Sequence, residues 1–239
     1  LSISPLDGRY SESVVDLRDV TSEFGLIKFR VMVEIKWFIH LSKLSNVREL
    51  PKLTIKEIVY LNDLIDNFSI KDAQKVKNIE RRTNHDVKAV EYFLRDEFKK
   101  FGKLGKYSEF IHFACTSEDI NNLSYALMIS QASKITKSSI SLIEKKIKVL
   151  SKRYASYSML SRTHGQNASP TTMGKEFANF LHRINKLSTE INRIKMTGKM
   201  NGAVGNYNAH HIAYPNINWE KVSKEFVKSL GLNFSSHTT

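Results

Sequence analysis

Between Pro51 and Pro170 the chain has no proline, and from Lys106 to His164 it has no glycine either. Proline cannot donate to a helix ladder and glycine weakens one, so a long stretch lacking both favours long helices wherever apolar residues recur at helical spacing. They do recur. Phe24, Ile27, Val31, Ile35 and Phe38 form one stripe within Thr21 to Leu44, and Thr54 to Phe68 reads similarly. Val87, Val90, Leu94, Phe98 and Phe101 repeat the period, with Thr83 or Asn84 as the cap and Glu91 four residues before Arg95. Thr116-Ser117-Glu118-Asp119 opens a further helix with a hydroxyl cap, two first-turn acids and a candidate capping box from Thr116 to Asp119. Its apolar face runs from Ile120 to Leu150, and a helix unbroken to Tyr154 would span roughly 50 to 60 Å and need neighbours along its length. Thr171 to Thr197 and Trp219 to Leu230 complete the set, strand signals are weak, and no hairpin turn separates alternating runs. The fold class expected is all-α.

Composition narrows the function classes. With 239 residues, 41% hydrophobic and 26% charged, the chain can bury a core and is far from the disordered corner. No apolar run approaches a membrane span, since Tyr125 to Ile129 is followed at once by Ser130 and Gln131. The polar amino terminus, with Asp7 and Arg9, shows neither a secretory signal nor a transit peptide, so a cytoplasmic location is expected. The single cysteine, Cys115, lies beside Phe113 and Ala114 and reads as a buried thiol acting as a small hydrophobe. A net charge of +13 invites a nucleic-acid reading. The lysines are scattered along helical stretches without a zinc-finger, RRM or basic-zipper signature, so the expectation is no nucleic acid and no membrane. Positive potential would still draw in nucleotide phosphates and dicarboxylates.

Polar joints between helices are where chemistry tends to sit. Ser161 to Pro170 places His164 in a short polar loop, with Gly165 allowing close backbone approach and Pro170 starting the next helix. A loop histidine is a natural general acid or base, although a structural, hydrogen-bonded histidine fits the same residues. Thr83-Asn84-His85-Asp86 and Thr116-Ser117 stand at helix starts, where free N–H groups favour an anion; capping alone explains both equally well. Asp7-Gly8-Arg9-Tyr10 presents a guanidinium and a phenol on a tight turn. Gly198 to Tyr207 matches neither phosphate-binding glycine pattern and reads chiefly as a structural bend. His210 and His211 are adjacent and point apart on regular structure, so no metal site is expected. Glu118 and Asp119 are explained by charge–dipole stabilisation.

Taken together, Ser4 to Tyr10, Arg82 to Phe93 and Ser108 to Asn122, extended by Ser161 to Pro170 and Asn201 to Asn208, resemble the adenylosuccinate lyase family of the fumarase/aspartase superfamily. The resemblance covers essentially the whole chain in order. It implies an elongated long-helix bundle of the fumarase/aspartase type, with an amino-terminal helical domain over residues 1–103 and, over 104–239, the first part of the central long-helix bundle. It further implies a homotetramer whose active sites are shared between subunits, and no metal or organic cofactor. The implied reaction is β-elimination of fumarate from adenylosuccinate, giving AMP, and from SAICAR, giving AICAR, in purine biosynthesis. His164 is then the general acid that protonates the departing nitrogen. Arg9, Tyr10, Asn84, His85, Asp86, Thr116, Ser117 and Thr163 match substrate-binding positions. The family's mobile Gly-Ser-Ser-x-Met-Pro loop, which bears the serine base, is not found in these residues, so this segment by itself is expected to be inactive. Gln166-Asn167 is a minor departure. Another lyase of the superfamily, or a non-catalytic helical assembly module, is the competing reading.

Overall fold

The computed structural model describes residues 2–238 and is helical with short strands, as the proline- and glycine-free stretch demands. Two compact units emerge, each described by itself: residues up to Ala132 together with those from Met196 onward, and Ser133–Lys195.

In the first unit, α1 (Val15–Thr21) turns sharply into α2 (Glu23–Leu41), followed by α3 (Ile55–Asp66), α4 (Ile70–Thr83) and α5 (Asp86–Phe98). Capping chemistry sets these boundaries. Ser22 accepts from the Gly25 N–H, while Thr54 with Glu57 and Ser69 with Asp72 form reciprocal capping boxes. α4 was not visible as a separate element in the apolar pattern. Its composition is highly polar, with only Ala73 and Val76 buried. The core is aromatic and aliphatic: Trp37 and Phe38 of α2 pack on Phe226 and Phe98 with ring centroids 4.9 Å apart in each pair. α9 (Trp219–Ser229) contributes Phe226 and Trp219, both fully buried.

α6 (Ser117–Arg153) is one unbroken helix of 37 residues that starts in this unit. At the start of α6 the Thr116 N–H donates to Asp119, one half of the capping box those two residues suggest. Asp119 does more than meet the helix dipole: it is fully buried and accepts four hydrogen bonds. Its Oδ1 takes Lys199 Nζ at 2.9 Å and the Asn201 N–H at 3.1 Å; its Oδ2 takes the N–H groups of Thr116 at 2.9 Å and Gly202 at 3.1 Å. Lys199 Nζ also donates to the Gly202 carbonyl at 2.7 Å. The glycine-rich bend is thereby fastened to the first turn of α6, and the structural reading of that bend holds. Gly198 leaves room there for the Leu123 side chain, whose Cδ2 would lie 2.4 Å from a Cβ and would have to move for any larger residue. The polar joint after Thr197 is more ordered than its sequence suggests. It includes β3 (Thr197–Gly198), paired in parallel with β4 (Asn233–Phe234), and the short α8 (Asn208–Ala213).

The second unit contains the end of α6, a β-hairpin and α7 (Met173–Arg193). Here the expectation of a helix–loop–helix without strands fails. β1 (Ser158–Thr163) and β2 (Gln166–Thr172) pair antiparallel, with Thr163 opposite Gln166, so the turn consists of His164 and Gly165 alone. Both turn residues have positive φ, 50° and 78°, as a primed two-residue hairpin turn needs. Its usual signal is Asn-Gly or Asp-Gly, and His-Gly hides it. Pro170 lies within β2 and does not start the helix; Thr172 caps α7, accepting from the Lys175 N–H at 3.2 Å. Gly174 lets α7 approach the end of α6, since a Cβ would meet the Ser151 carbonyl oxygen at 2.4 Å.

Truncating the buried carboxylate should strand the Lys199 ammonium. Asp119→Ala is expected to cost about 3 to 5 kcal/mol in urea denaturation, with Asp119→Ala/Lys199→Met recovering part of the loss. A single-variant loss below about 1 kcal/mol would show that the pair does not hold the bend.

Candidate active site

In the first unit the candidate residues gather around two helix starts. Asn84 ends α4 in the left-handed conformation (φ 52°) and His85 caps α5, its Nδ1 accepting from the Lys88 N–H at 3.2 Å. The cap is therefore the imidazole itself, and neither Thr83 nor Asn84 serves. Thr83 Oγ1 instead donates to the His85 carbonyl at 3.2 Å. Asp86, the first residue of α5, pairs with Arg30 Nη2 at 2.6 Å, and Arg30 Nε donates to Asn121 Oδ1 in α6 at 2.9 Å. One buried guanidinium thus ties the start of α5 to the start of α6, and with it the neighbourhood of Asp86 to that of Thr116 and Ser117. Burial alone would raise the Asp86 pKa, but the Val87 N–H and the Arg30 charge outweigh it and hold the carboxyl below its ordinary value.

The turn from His112 to Thr116 lies beside these starts in sequence and is tightly held. Glu34 of α2, fully buried, accepts the His112 backbone N–H at 3.1 Å and lies 2.6 Å from His112 Nδ1. Burial by itself would lower the His112 pKa, yet hydrogen bonding to Glu34 and its charge reverse the sign and raise it. Trp37 Nε1 donates to the Phe113 carbonyl at 3.1 Å. His112 and Ala114 both have positive φ, 59° and 57°. Backbone held in this region costs of order 1 to 3 kcal/mol per residue and persists only where surroundings enforce it. An imidazole oriented through Nδ1 by a buried carboxylate, with Nε2 left for a ligand, is the arrangement of a positioned acid or base.

Arg30, Glu34, His112 and Asn121 were not singled out from sequence. The signal was present for two of them: Arg30 and Glu34 interrupt the apolar stripe of α2 with opposite charges, and buried charges are rare unless paired. Arg9 and Tyr10 lie on an exposed turn, the guanidinium 5.6 Å from the phenol ring centroid. That turn is stabilised by Asp7, which accepts from the N–H groups of Ile3 and Ser4. Cys115 is half-buried, and desolvation pushes its thiol pKa well up, so it has no reactive thiolate. A groove of about 470 Å³ lined by Arg48, Glu49, Tyr214 and Pro215 holds none of the candidates.

In the second unit, Thr163 and His164 are exposed at the tip of the hairpin. A histidine occupies the first left-handed turn position, where asparagine, aspartate or glycine is preferred. Among the described residues no cluster of three His, Cys, Asp or Glu side chains could hold a metal, and no helix is long and apolar enough to cross a membrane.

The scaffold is predominantly helical, with histidine-bearing turns held in the left-handed region at His112 and His164. Its fold is that of the fumarate lyase structures: a fumarate lyase from Mesorhizobium sp. BNC1 superposes with a TM-score of 0.74 at 18% identity, over 94% of this chain and 49% of that one. A β-carboxy-cis,cis-muconate cycloisomerase from Acinetobacter calcoaceticus gives 0.71 at 18% identity, over 94% and 50%. The Lyase family model matches residues 8–238, and the chain belongs to that family. It is 49% identical over its whole length to the adenylosuccinate lyase of Haemophilus influenzae and 46% identical to that of Buchnera aphidicola from Acyrthosiphon pisum, covering 52% of each. The chain thus spans about half the length of the curated relatives it matches.

A buried histidine, His210, and a partly buried one, His112, should give opposite limbs to the pH dependence of stability. His210, fully enclosed by Trp37, Tyr207 and Trp219, is driven down to about 4 by desolvation, so the unfolded chain binds a proton more readily. Stability is full above about pH 6.5 and is lost as pH falls through that value to about 4, by about 3 kcal/mol in all. His112, with its raised pKa, stabilises below its unfolded value and loses that contribution as pH rises through the folded one. Denaturation midpoints across pH should show His210→Leu flattening the acid limb and His112→Gln the alkaline limb. Unchanged limbs would remove these residues from the account.

Proposed function

We propose that the protein containing this chain is an adenylosuccinate lyase, releasing fumarate from adenylosuccinate to give AMP and from SAICAR to give AICAR. The observation that carries this reading is His164, held exposed in a strained two-residue turn that a neutral hairpin would fill with asparagine or glycine. Identity near one half over every residue of the chain supports it independently.

The chemistry explains the residue types. Elimination removes a weakly acidic C–H beside a carboxylate and expels a purine nitrogen that leaves poorly as an anion, so it needs a base and a proton donor. His164 gives the proton to the leaving nitrogen, a role worth about 10² to 10⁴ in rate. Thr163, Thr116 and Ser117 supply hydroxyls, and the helix start at Ser117 supplies N–H groups, to carboxylate and phosphate oxygens. Arg9 forks onto an oxyanion while Tyr10 stacks or donates. Asn84, His85 and Asp86 line the same substrate, Asp86 kept ionised by Arg30. His112, oriented by Glu34, is added to this set as a second positioned imidazole. The remaining parts of the reading are a homotetramer with shared active sites, a cytoplasmic location, and domains over residues 1–103 and 104–239.

Turnover tests the reading directly. The whole protein should release fumarate from adenylosuccinate and leave argininosuccinate and malate untouched, while residues 1–239 alone should release none. His164→Asn separates the strain from the chemistry: the turn relaxes, so thermal stability should hold or rise by up to about 1 kcal/mol, while kcat falls at least about 100-fold. A variant that keeps near-normal kcat takes His164 out of proton transfer.

A further inference from the structure

The charge of this chain is unevenly placed. Ser133–Lys195 carries thirteen lysines and arginines against three glutamates, a net +10, while the rest of the chain carries only +3. The pairing differs as sharply. In the first unit nine cations lie within 4.0 Å of a carboxylate. In the second, Lys175 has Glu176 at 3.1 Å, and among the described residues the other twelve have no such partner. Glu144 accepts from Ser188 Oγ at 2.8 Å and, among the described residues, has no cation within 4.0 Å.

The excess is also ordered. Lys134, Lys145, Lys148 and Lys152 fall on one side of α6, and Lys175, His182, Lys186 and Arg193 recur at helical spacing on α7, opposite its apolar stripe; all eight are exposed. Uncompensated like charges repel and cost stability, so a surface that concentrates them has a use for the field. At the end of both helices stands the hairpin with Arg162 and His164.

We propose that the 133–195 unit is an electrostatic collector that captures small polyanionic substrates and raises their encounter rate with the hairpin, its cations acting at a distance without touching the bound molecule. The inference rests on the lyase reading for its substrate: a nucleotide with one phosphate and two carboxylates, about four negative charges at neutral pH. Steering of this kind acts on association and leaves the chemical step alone.

The experiment measures, on the whole protein, the stopped-flow association rate of adenylosuccinate and the steady-state kcat at ionic strengths from about 20 to about 300 mM. The association rate should fall at least about 10-fold over that range with kcat unchanged. Lys134→Gln/Lys145→Gln/Lys186→Gln neutralises exposed side chains remote from the turn; Lys134 lies about 29 Å along α6 from Arg153. It should slow association about 3-fold at low salt, flatten the salt dependence and spare kcat, and the triple arginine variant should restore the rate. An association rate indifferent to salt or to the three neutralisations overturns the collector. Salt-dependent association without fumarate release overturns the lyase reading and leaves the collector standing; turnover with salt-independent association does the reverse; no association at any salt overturns both.

Discussion

Placing Asp119 and Lys199 out of water costs several kcal/mol per ion, and mutual attraction recovers that only when the remaining hydrogen-bonding capacity is filled. Here it is filled: the carboxylate takes one ammonium and three backbone N–H groups, and the ammonium donates onward to Gly202. The consequence is geometric. Residues some eighty positions apart in sequence are locked at one point, so the start of α6 and the bend from Lys199 to Gly202 behave as one piece. Thr116 is part of that piece, because its own N–H is one of the four donors. Asn122 doubles the clamp by bonding both the N–H and the carbonyl of Lys199.

Arg30 extends the same logic outward. A guanidinium that holds Asp86 with one nitrogen and Asn121 with another fixes the angle between two helix starts more firmly than an apolar contact would, since its fork is rigid. Within each unit the backbone is strained where candidate residues lie. Asn84, His112, Ala114 and His164 all occupy the left-handed region. Asn84 sits there cheaply, as asparagine does after a helix; the alanine and the two histidines do not. Strain of this kind survives because buried ties over-determine it, as Glu34 does for His112.

Much of this was legible in the sequence, and the limits have physical causes. Apolar periodicity located α2, α3, α5, α6, α7 and α9 within a few residues, because burying a stripe requires that spacing. It missed α4, whose helix rests on two capping boundaries and ion pairs more than on a stripe. The hairpin escaped because its turn is His-Gly and its strands are polar and exposed, so neither turn chemistry nor alternation marked them. Among the candidate residues, those on polar joints were found because joints stand out. Arg30 and Glu34 were not, since a charged residue within an apolar stripe betrays itself only when one asks what neutralises it. For Asp119 the sequence shows the local roles, a first-turn acid and a capping-box partner of Thr116, and the Thr116 N–H does bond it; no local pattern announces the distant partner at Lys199.

The two units handle exposed chemistry differently, and this bears on what the second one needs. The first unit buries an aromatic cluster that includes Trp37, Phe38, Phe98, Trp219 and Phe226, and pairs many of its charges. The second leaves Phe180 and Leu187 of α7, Ile194 just beyond it, and Leu142 and Val149 of α6 largely exposed, alongside its unpaired cations. Helices this amphipathic are held mainly by tertiary packing of the apolar face, and a single hairpin of them supplies little. Further helices are needed on the apolar side, which the proposed homotetramer would provide. The basic side must then stay open to water, because burying an uncompensated row of ammonium groups is far costlier than leaving a leucine exposed. Assembly through the apolar stripe and capture of anions along the basic ridge are therefore compatible on one pair of helices, and each depends on the other face being left alone.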